Sequence, residues 1–282
     1  MAGTLNGVQT RMKREEPRVL FVHCMAHSLS LTVQDLVKQI SGCRNVLSLV
    51  REIINFVRDF PKRLSMFKNL QVQSDVADGP SKNLRPFCPT RWTIRHHSLS
   101  SILSNYKEVL NLMEGLAESE KSDVGAKANG FVIQMTTFDF FFHLSLLCKV
   151  FSLVDTVNTA LQAKSLHFQL ATEMISSLLQ LLTHLRTQYK SFWDNVNDKS
   201  ESLCVSQPIL PRKKRIPHQI DNAENREVFP FSTPEDFYHQ NFNEVVDTIR
   251  ECVMTRFKSK TFEFMVNAEQ FFIGAKTGFQ EL

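Results

Sequence analysis

A chain of 282 residues has room for one large domain or two ordinary ones. Its 43% hydrophobic content and 23 Phe supply a substantial core, which excludes wholesale disorder. The net charge of +4, from 33 basic and 29 acidic residues, is too mild to argue for nucleic acid by itself.

Residues 1–17 are polar and charged, with Arg11, Lys13 and Arg14 and no apolar block behind them, so no secretory signal is expected. Arg18 to His23 is a short β-branched and aromatic run after Pro17 and reads as one strand. A helix is predicted from about His27, with Leu29, Val33, Leu36, Val37 and Ile40 on one face and Gly42 as its end. A second helix carries Val46, Val50, Ile53, Val57 and Phe60 and stops before Pro61. Residues 71–89 read as a polar loop. Helix returns near Thr93 and runs to about Leu116 on the stripe Leu99, Ile102, Tyr106, Val109 and Met113.

Two long helical segments are predicted over roughly 124–162 and 166–196. The first holds the richest apolar stretch, Phe138 to Val154. Asp139, His143 and Lys149 interrupt it, which marks a buried helix and not a membrane span of ~18 uninterrupted apolar residues. From about 197 to 231 the pattern dissolves into prolines, a basic run and several Asn, the signature of an exposed linker. Helix restarts at Thr233 as cap, with Pro234, Glu235 and Asp236 in the first turn, and a last apolar segment covers Phe262 to about Ile273. The sum is seven or eight helices and one strand: a mainly α chain.

Six Cys, at 24, 43, 88, 148, 204 and 252, are scattered without paired spacing, as reduced thiols of the cytosol or nucleus are. Cys24-Met25-Ala26-His27 offers half of a tetrahedral zinc site, but such a site needs about four ligands and no second pair is visible. Packing or hydrogen bonding at a strand-to-helix junction is therefore the favoured role of Cys24 and His27. His96 and His97 are neighbours that point in different directions on a helix.

In Cys88-Pro89-Thr90-Arg91-Trp92, Thr90 is placed to cap the next helix. Arg91 brings a fixed fork of donors and Trp92 a stacking face, which together fit a phosphate and an unpaired base. An Arg-Trp pair docking the helix into the core fits equally well. Arg212, Lys213, Lys214 and Arg215, between Pro211 and Pro217, read as a nuclear import signal, a phosphate-contacting patch or a solvated linker. For catalysis there is no P-loop, no Gly-rich dinucleotide turn and no GxSxG. Asp139 and Asp155 read as helix surface.

Four blocks carry a resemblance. They are the run from Met1 to Gln9 with Leu20 to Leu31, then Arg85 to Arg95, Pro208 to Pro217, and Phe231 to Tyr238. In this order they resemble hAT transposase-derived proteins of the zinc finger MYM-type 1 kind, across nearly the whole chain. The resemblance implies a parent enzyme with an RNase H-like nuclease core interrupted by a long helical insertion, cutting DNA with two metal ions held by three carboxylates. It also implies that this chain lacks those carboxylates, two of which lie ahead of the family's segment matching Met1 and one beyond that matching Leu282. Cys24 and His27 fall on the family's C-x-x-H motif beside the active site. Arg91 and Trp92 fall on an Arg-Trp pair whose Trp stacks on a base flipped out at a hairpin end.

The domain reading is a remnant of the RNase H-like core at 1–26, a helical insertion at 27–196, a basic linker at 197–231 and C-terminal helices at 232–282. The fold expected is a multi-helix insertion domain with at most one or two short N-terminal strands. The function expected is a catalytically incomplete, domesticated transposase-like fragment in the nucleus that contacts DNA through Arg91, Trp92 and Arg212 to Arg215. Its partners are DNA, itself or related transposase-derived chains, with no catalytic residue, metal, cofactor, small-molecule substrate or membrane expected. The rival readings are a helical protein-interaction scaffold and a non-functional remnant or truncated gene model.

Overall fold

The computed structural model describes residues 6–20, 22–73, 83–87, 92–120, 122–163, 167–211, 231–258 and 260–278. Among them are twelve helices and no strand. They are α1 (Val8–Glu15), α2 (Met25–Gln39), α3 (Ser41–Arg58), α4 (Pro61–Gln73), α5 (Trp92–Ser104), α6 (Tyr106–Ser119), α7 (Asp123–Met135), α8 (Phe138–Ala160), α9 (Phe168–Thr187), α10 (Tyr189–Ser202), α11 (Pro234–Phe257) and α12 (Lys260–Gly278).

The mainly α expectation is met, with more and shorter helices than the apolar pattern alone divides. Its stripes run across breaks because helices on both sides of a break pack on one core; hydroxyl and amide side chains then set the ends. Thr136 and Thr137 turn their hydroxyls back onto the carbonyls of Val132 and Gln134, closing α7. Thr137 Oγ1 also accepts from the Phe140 amide and so opens α8. Asn105 separates α5 from α6: its Nδ2 donates to the Ser101 carbonyl and its Oδ1 accepts from Gln71 Nε2 at 2.6 Å. Pro61 opens α4, where its missing N–H costs no helical hydrogen bond.

The start at Thr233 is as predicted. Thr233 Oγ1 accepts from the Asp236 amide at 3.1 Å, with Pro234 and two carboxylates in the first turn. The segment predicted as one helix over 166–196 divides at Gln188 into α9 and α10, and α10 continues to Ser202, with Val205 beyond it buried. Ser206 then ties this segment to the head of α8, donating from its amide to the Thr136 carbonyl at 2.8 Å and accepting from the Phe138 amide at 3.2 Å.

Two N-terminal expectations need correction. Residues 18–20, 22 and 23 form no strand, since no other strand among the described residues is there to pair with their backbone groups. Gly42 does not end a helix: the break falls at Ile40, with extended backbone (φ −104°, ψ 116°), and Gly42 lies in the first turn of α3. A Cβ on Gly42 would stand 2.5 Å from His143 Nε2 on α8, so the glycine is there for close approach of two helices.

At the centre is α8, which packs against α2, α3, α5, α7, α9 and α10. By length and composition it could cross a membrane, yet 67% of its apolar window is buried inside the bundle. Phe138, Phe141 and Phe142 are fully covered. Phe142 meets Tyr238 of α11 at 4.7 Å between ring centroids and Phe192 of α10 at 5.5 Å, tilted and edge-on respectively. Each such ring contributes roughly 1.5–3 kcal/mol by leaving water. Along the other side, α11 lies in the groove between α2 and α9 and buries Phe242, Val245, Ile249 and Val253.

Candidate nucleic-acid interface

The residues singled out from the sequence are distributed unevenly over the structure. Arg91, Arg212, Lys213, Lys214 and Arg215 lie outside the described residues. Trp92 supplies the first backbone position of α5, and its side chain also lies outside them. Cys24 and His27 are both described, and both are exposed.

Cys24 occupies the N-cap position of α2, with its carbonyl accepting from the Ser28 amide at 2.9 Å and no hydrogen bond from its side chain to the helix start. His27 faces His23 with ring centroids 6.3 Å apart. Burial holds the His23 imidazole below its ordinary pKa, helped by the nearby His27 and by the positive charge of Arg256 on α11. Arg256 is paired with Asp35 of α2, so the C-x-x-H turn sits beside an α2–α11 ion pair. Among the described residues no three of His, Cys, Asp and Glu converge as a metal site.

The approach to Arg91 and Trp92 is fastened more firmly than a polar loop would be. Leu84 is fully buried, and Arg58 Nη1 donates to its carbonyl at 2.7 Å. The Arg85 amide donates to Ser101 Oγ and Ser98 Oγ donates to the Pro86 carbonyl, which lays residues 83–87 along α5. The Arg95 guanidinium stands 5.3 Å from the centroid of Phe87. The local sequence therefore fixes both the strap before the Arg-Trp pair and the helix after it.

One turn into each motif-bearing helix, α2 and α5 meet on the second half of α8. Ser30 and Val33 of α2, His96 of α5, and Val154, Asp155 and Asn158 of α8 line a cavity of ≈ 10 Å³. His96 Nδ1, Asp155 Oδ1 and Asn158 Oδ1 are buried without a hydrogen-bond partner. Burial pushes the His96 imidazole down and the Asp155 carboxyl up, each favouring its neutral form, although their opposite charges attract.

Asp155 is thus half-buried, a correction to the surface reading; Asp139 does hold to that reading, with a side chain 59% exposed. His96 and His97 do differ in direction: His96 is half-buried and lines the cavity, and His97 is exposed. What residue-by-residue reading missed is Asn158. Its signal was available, since Asn158 lies four residues after Val154 on an otherwise apolar face of a core helix.

Residues 22–134 match the family model of the ZBED1 RNase-like helical domain. That stretch runs from just before α2 into α7 and holds Cys24, His27, Arg91 and Trp92, but not the basic run at 212–215. Over 259 residues, 87% of this chain, it is 20% identical to the 52 kDa repressor of the inhibitor of the protein kinase of Homo sapiens. It is 19% identical over 255 residues to the protein of the same name from Mus musculus. The chain spans 32% of the length of each of these curated relatives. No solved structure matches it.

Proposed function

We propose that this chain is the helical region of a hAT transposase-derived protein, of the zinc finger MYM-type 1 kind, which contacts DNA in the nucleus and does not cut it. The observation that carries the reading is the match of residues 22–134 to an RNase-like helical domain, because that stretch contains both the C-x-x-H and the Arg-Trp motifs. In support, α2 and α5 pack on one half of α8, and residues 83–87, ahead of the Arg-Trp motif in the chain, are hydrogen-bonded to α3 and α5. Binding then rests on Arg91 for a phosphate, Trp92 for an unpaired base, and Arg212, Lys213, Lys214 and Arg215 for further phosphates.

The direct test is fluorescence anisotropy of the purified chain with labelled hairpin and duplex DNA of equal length. A preference for the hairpin that disappears in Trp92→Ala is the expected result. Loss of one stacked base costs about 1–3 kcal/mol, or roughly 5- to 150-fold in Kd. Equal binding of both DNAs, unchanged in the variant, would contradict a stacking role. Strand cleavage by the pure protein with Mg²⁺ or Mn²⁺, abolished by changing an acidic residue, would overturn the non-catalytic assignment.

A second reading, a protein-interaction scaffold, draws on one feature of the structure. On α12, Phe264 is 54% exposed and the adjacent Phe271 and Phe272 are 72% and 71% exposed. Large aromatic surface in one place is a frequent mark of a partner surface. Self-association without DNA affinity is the outcome that selects this reading.

A further inference from the structure

The small cavity between α2, α5 and α8 has a lining whose hydrogen-bond arithmetic can be closed in only a few ways. Asp155 Oδ1 and Asn158 Oδ1 are acceptors, and Ser30 spends its hydroxyl hydrogen on the Ala26 carbonyl at 2.9 Å, which leaves it acceptor capacity only. His96 Nδ1 is the fourth polar atom, and its role depends on where the ring carries its proton. Asn158 is 5% exposed, and an unpaired amide oxygen at such depth costs about 1–3 kcal/mol.

A volume of ≈ 10 Å³ admits one water-sized occupant and nothing larger. A structural divalent metal is a poor fit. The lining offers one carboxylate, and the six or more oxygens that a Ca²⁺ or Mg²⁺ shell needs are not there. A water has two hydrogens to give. With Asp155 ionised, and both hydrogens given to its carboxylate and to Asn158, the third buried group must be the donor.

We infer that this cavity is a site for one buried water, which donates to Asp155 Oδ1 and Asn158 Oδ1 and accepts from His96 Nδ1–H. The site joins α5 to α8 one turn beyond the Arg-Trp motif, and it sits against α2 one turn beyond His27. It goes beyond the DNA-binding proposal and is independent of it, since no nucleic-acid contact enters the geometry. Its specific consequence is that His96 carries a proton on Nδ1, the nitrogen that the other neutral tautomer leaves bare.

The test uses the full chain labelled with [¹⁵N]histidine at about pH 7.5, where burial of His96 favours the neutral ring. Long-range ¹H–¹⁵N correlation spectra report which ring nitrogen is protonated, and His96→Gln assigns the His96 signals by their loss. Water-selective NOE spectra report a long-lived water beside the ring. Nδ1–H together with a water NOE is the expected result. In Asn158→Leu, which removes one of the two acceptors and leaves an apolar wall, the NOE is expected to vanish. A bare Nδ1, or a protonated Nδ1 with no water NOE in the wild-type chain, would overturn the inference.

Discussion

The two halves of α8 belong to one helix yet face different surroundings. From Phe138 to Val150 its buried face is largely aromatic and aliphatic, with Phe142 enclosed by rings from α10 and α11. From Val154 to Asn158 it turns Asp155 and Asn158 toward α2 and α5, the helices bearing the sequence motifs, with polar atoms lacking protein partners. The first half is built for burial of apolar area. The second keeps buried polar atoms that would each cost roughly 1–3 kcal/mol if left unpaired, a cost that the inferred water offsets.

The comparison is broken most simply by cutting into the first half. Phe142→Ala is expected to destabilise the protein by about 3–5 kcal/mol in urea unfolding, through lost burial and the cavity left behind. A loss below about 1 kcal/mol would mean that the aromatic cluster is not the core described. Gly42→Ala comes next. Alanine favours helix, but its Cβ would meet the buried His143 ring at 2.5 Å, so a cost of about 1–3 kcal/mol is expected. The control is Gly130→Ala on α7, where nothing lies within 4 Å of the added carbon; there a gain of roughly 0.5–1 kcal/mol is expected. If both substitutions stabilise, the close approach of α3 to α8 is wrong.

The smallest effect is a pH dependence at His143. Burial alone would lower its pKa, but the hydrogen bond and charge of Asp139 outweigh that, with Glu244 of α11 adding to them, and the net shift is upward. Burial, with the charge of Glu244 adding to it, pushes the thiol of Cys43 on α3 up to about 12, so it stays neutral. A raised folded-state value means the stabilisation is fully present below the unfolded value of about 6.5 and fades as pH rises through the folded one. The stability difference between wild type and His143→Gln should therefore shrink from about pH 6 to pH 8. A difference that grows over that range would contradict the Asp139 pairing.

Much of the fold was legible because it rests on apolar periodicity and strong caps. The stripe through Val46, Val50, Ile53 and Val57 is buried as read, while Phe60, expected to end it, lies beyond α3 and is 55% exposed; Thr233-Pro234 starts α11 where predicted. The break expected at Gly42 falls two residues earlier, at Ile40, whereas those at Asn105 and Thr136-Thr137 were not legible, because the apolar stripe carries on through them and the ends are set by local side-chain hydrogen bonds. The short run at 18–23 has strand-like composition, but pairing is a tertiary property that composition does not supply. In the candidate site, Cys24 and His27 could be named from spacing. The cavity at His96, Asp155 and Asn158 could not, because it needs α5 and α8 placed side by side, more than fifty residues apart in the chain.

The central claim, DNA binding without cleavage through the Arg-Trp motif and the basic run, is tested most directly by the salt dependence of hairpin binding. If Arg91 and the four basic residues at 212–215 contact phosphates, log affinity should fall with log salt at a slope of about −4 between about 50 and 200 mM. Replacing Arg212, Lys213, Lys214 and Arg215 with Gln should flatten the slope to about −1 while leaving the effect of Trp92→Ala intact. No detectable binding at the lowest salt, or a slope unchanged by the four substitutions, would contradict the account.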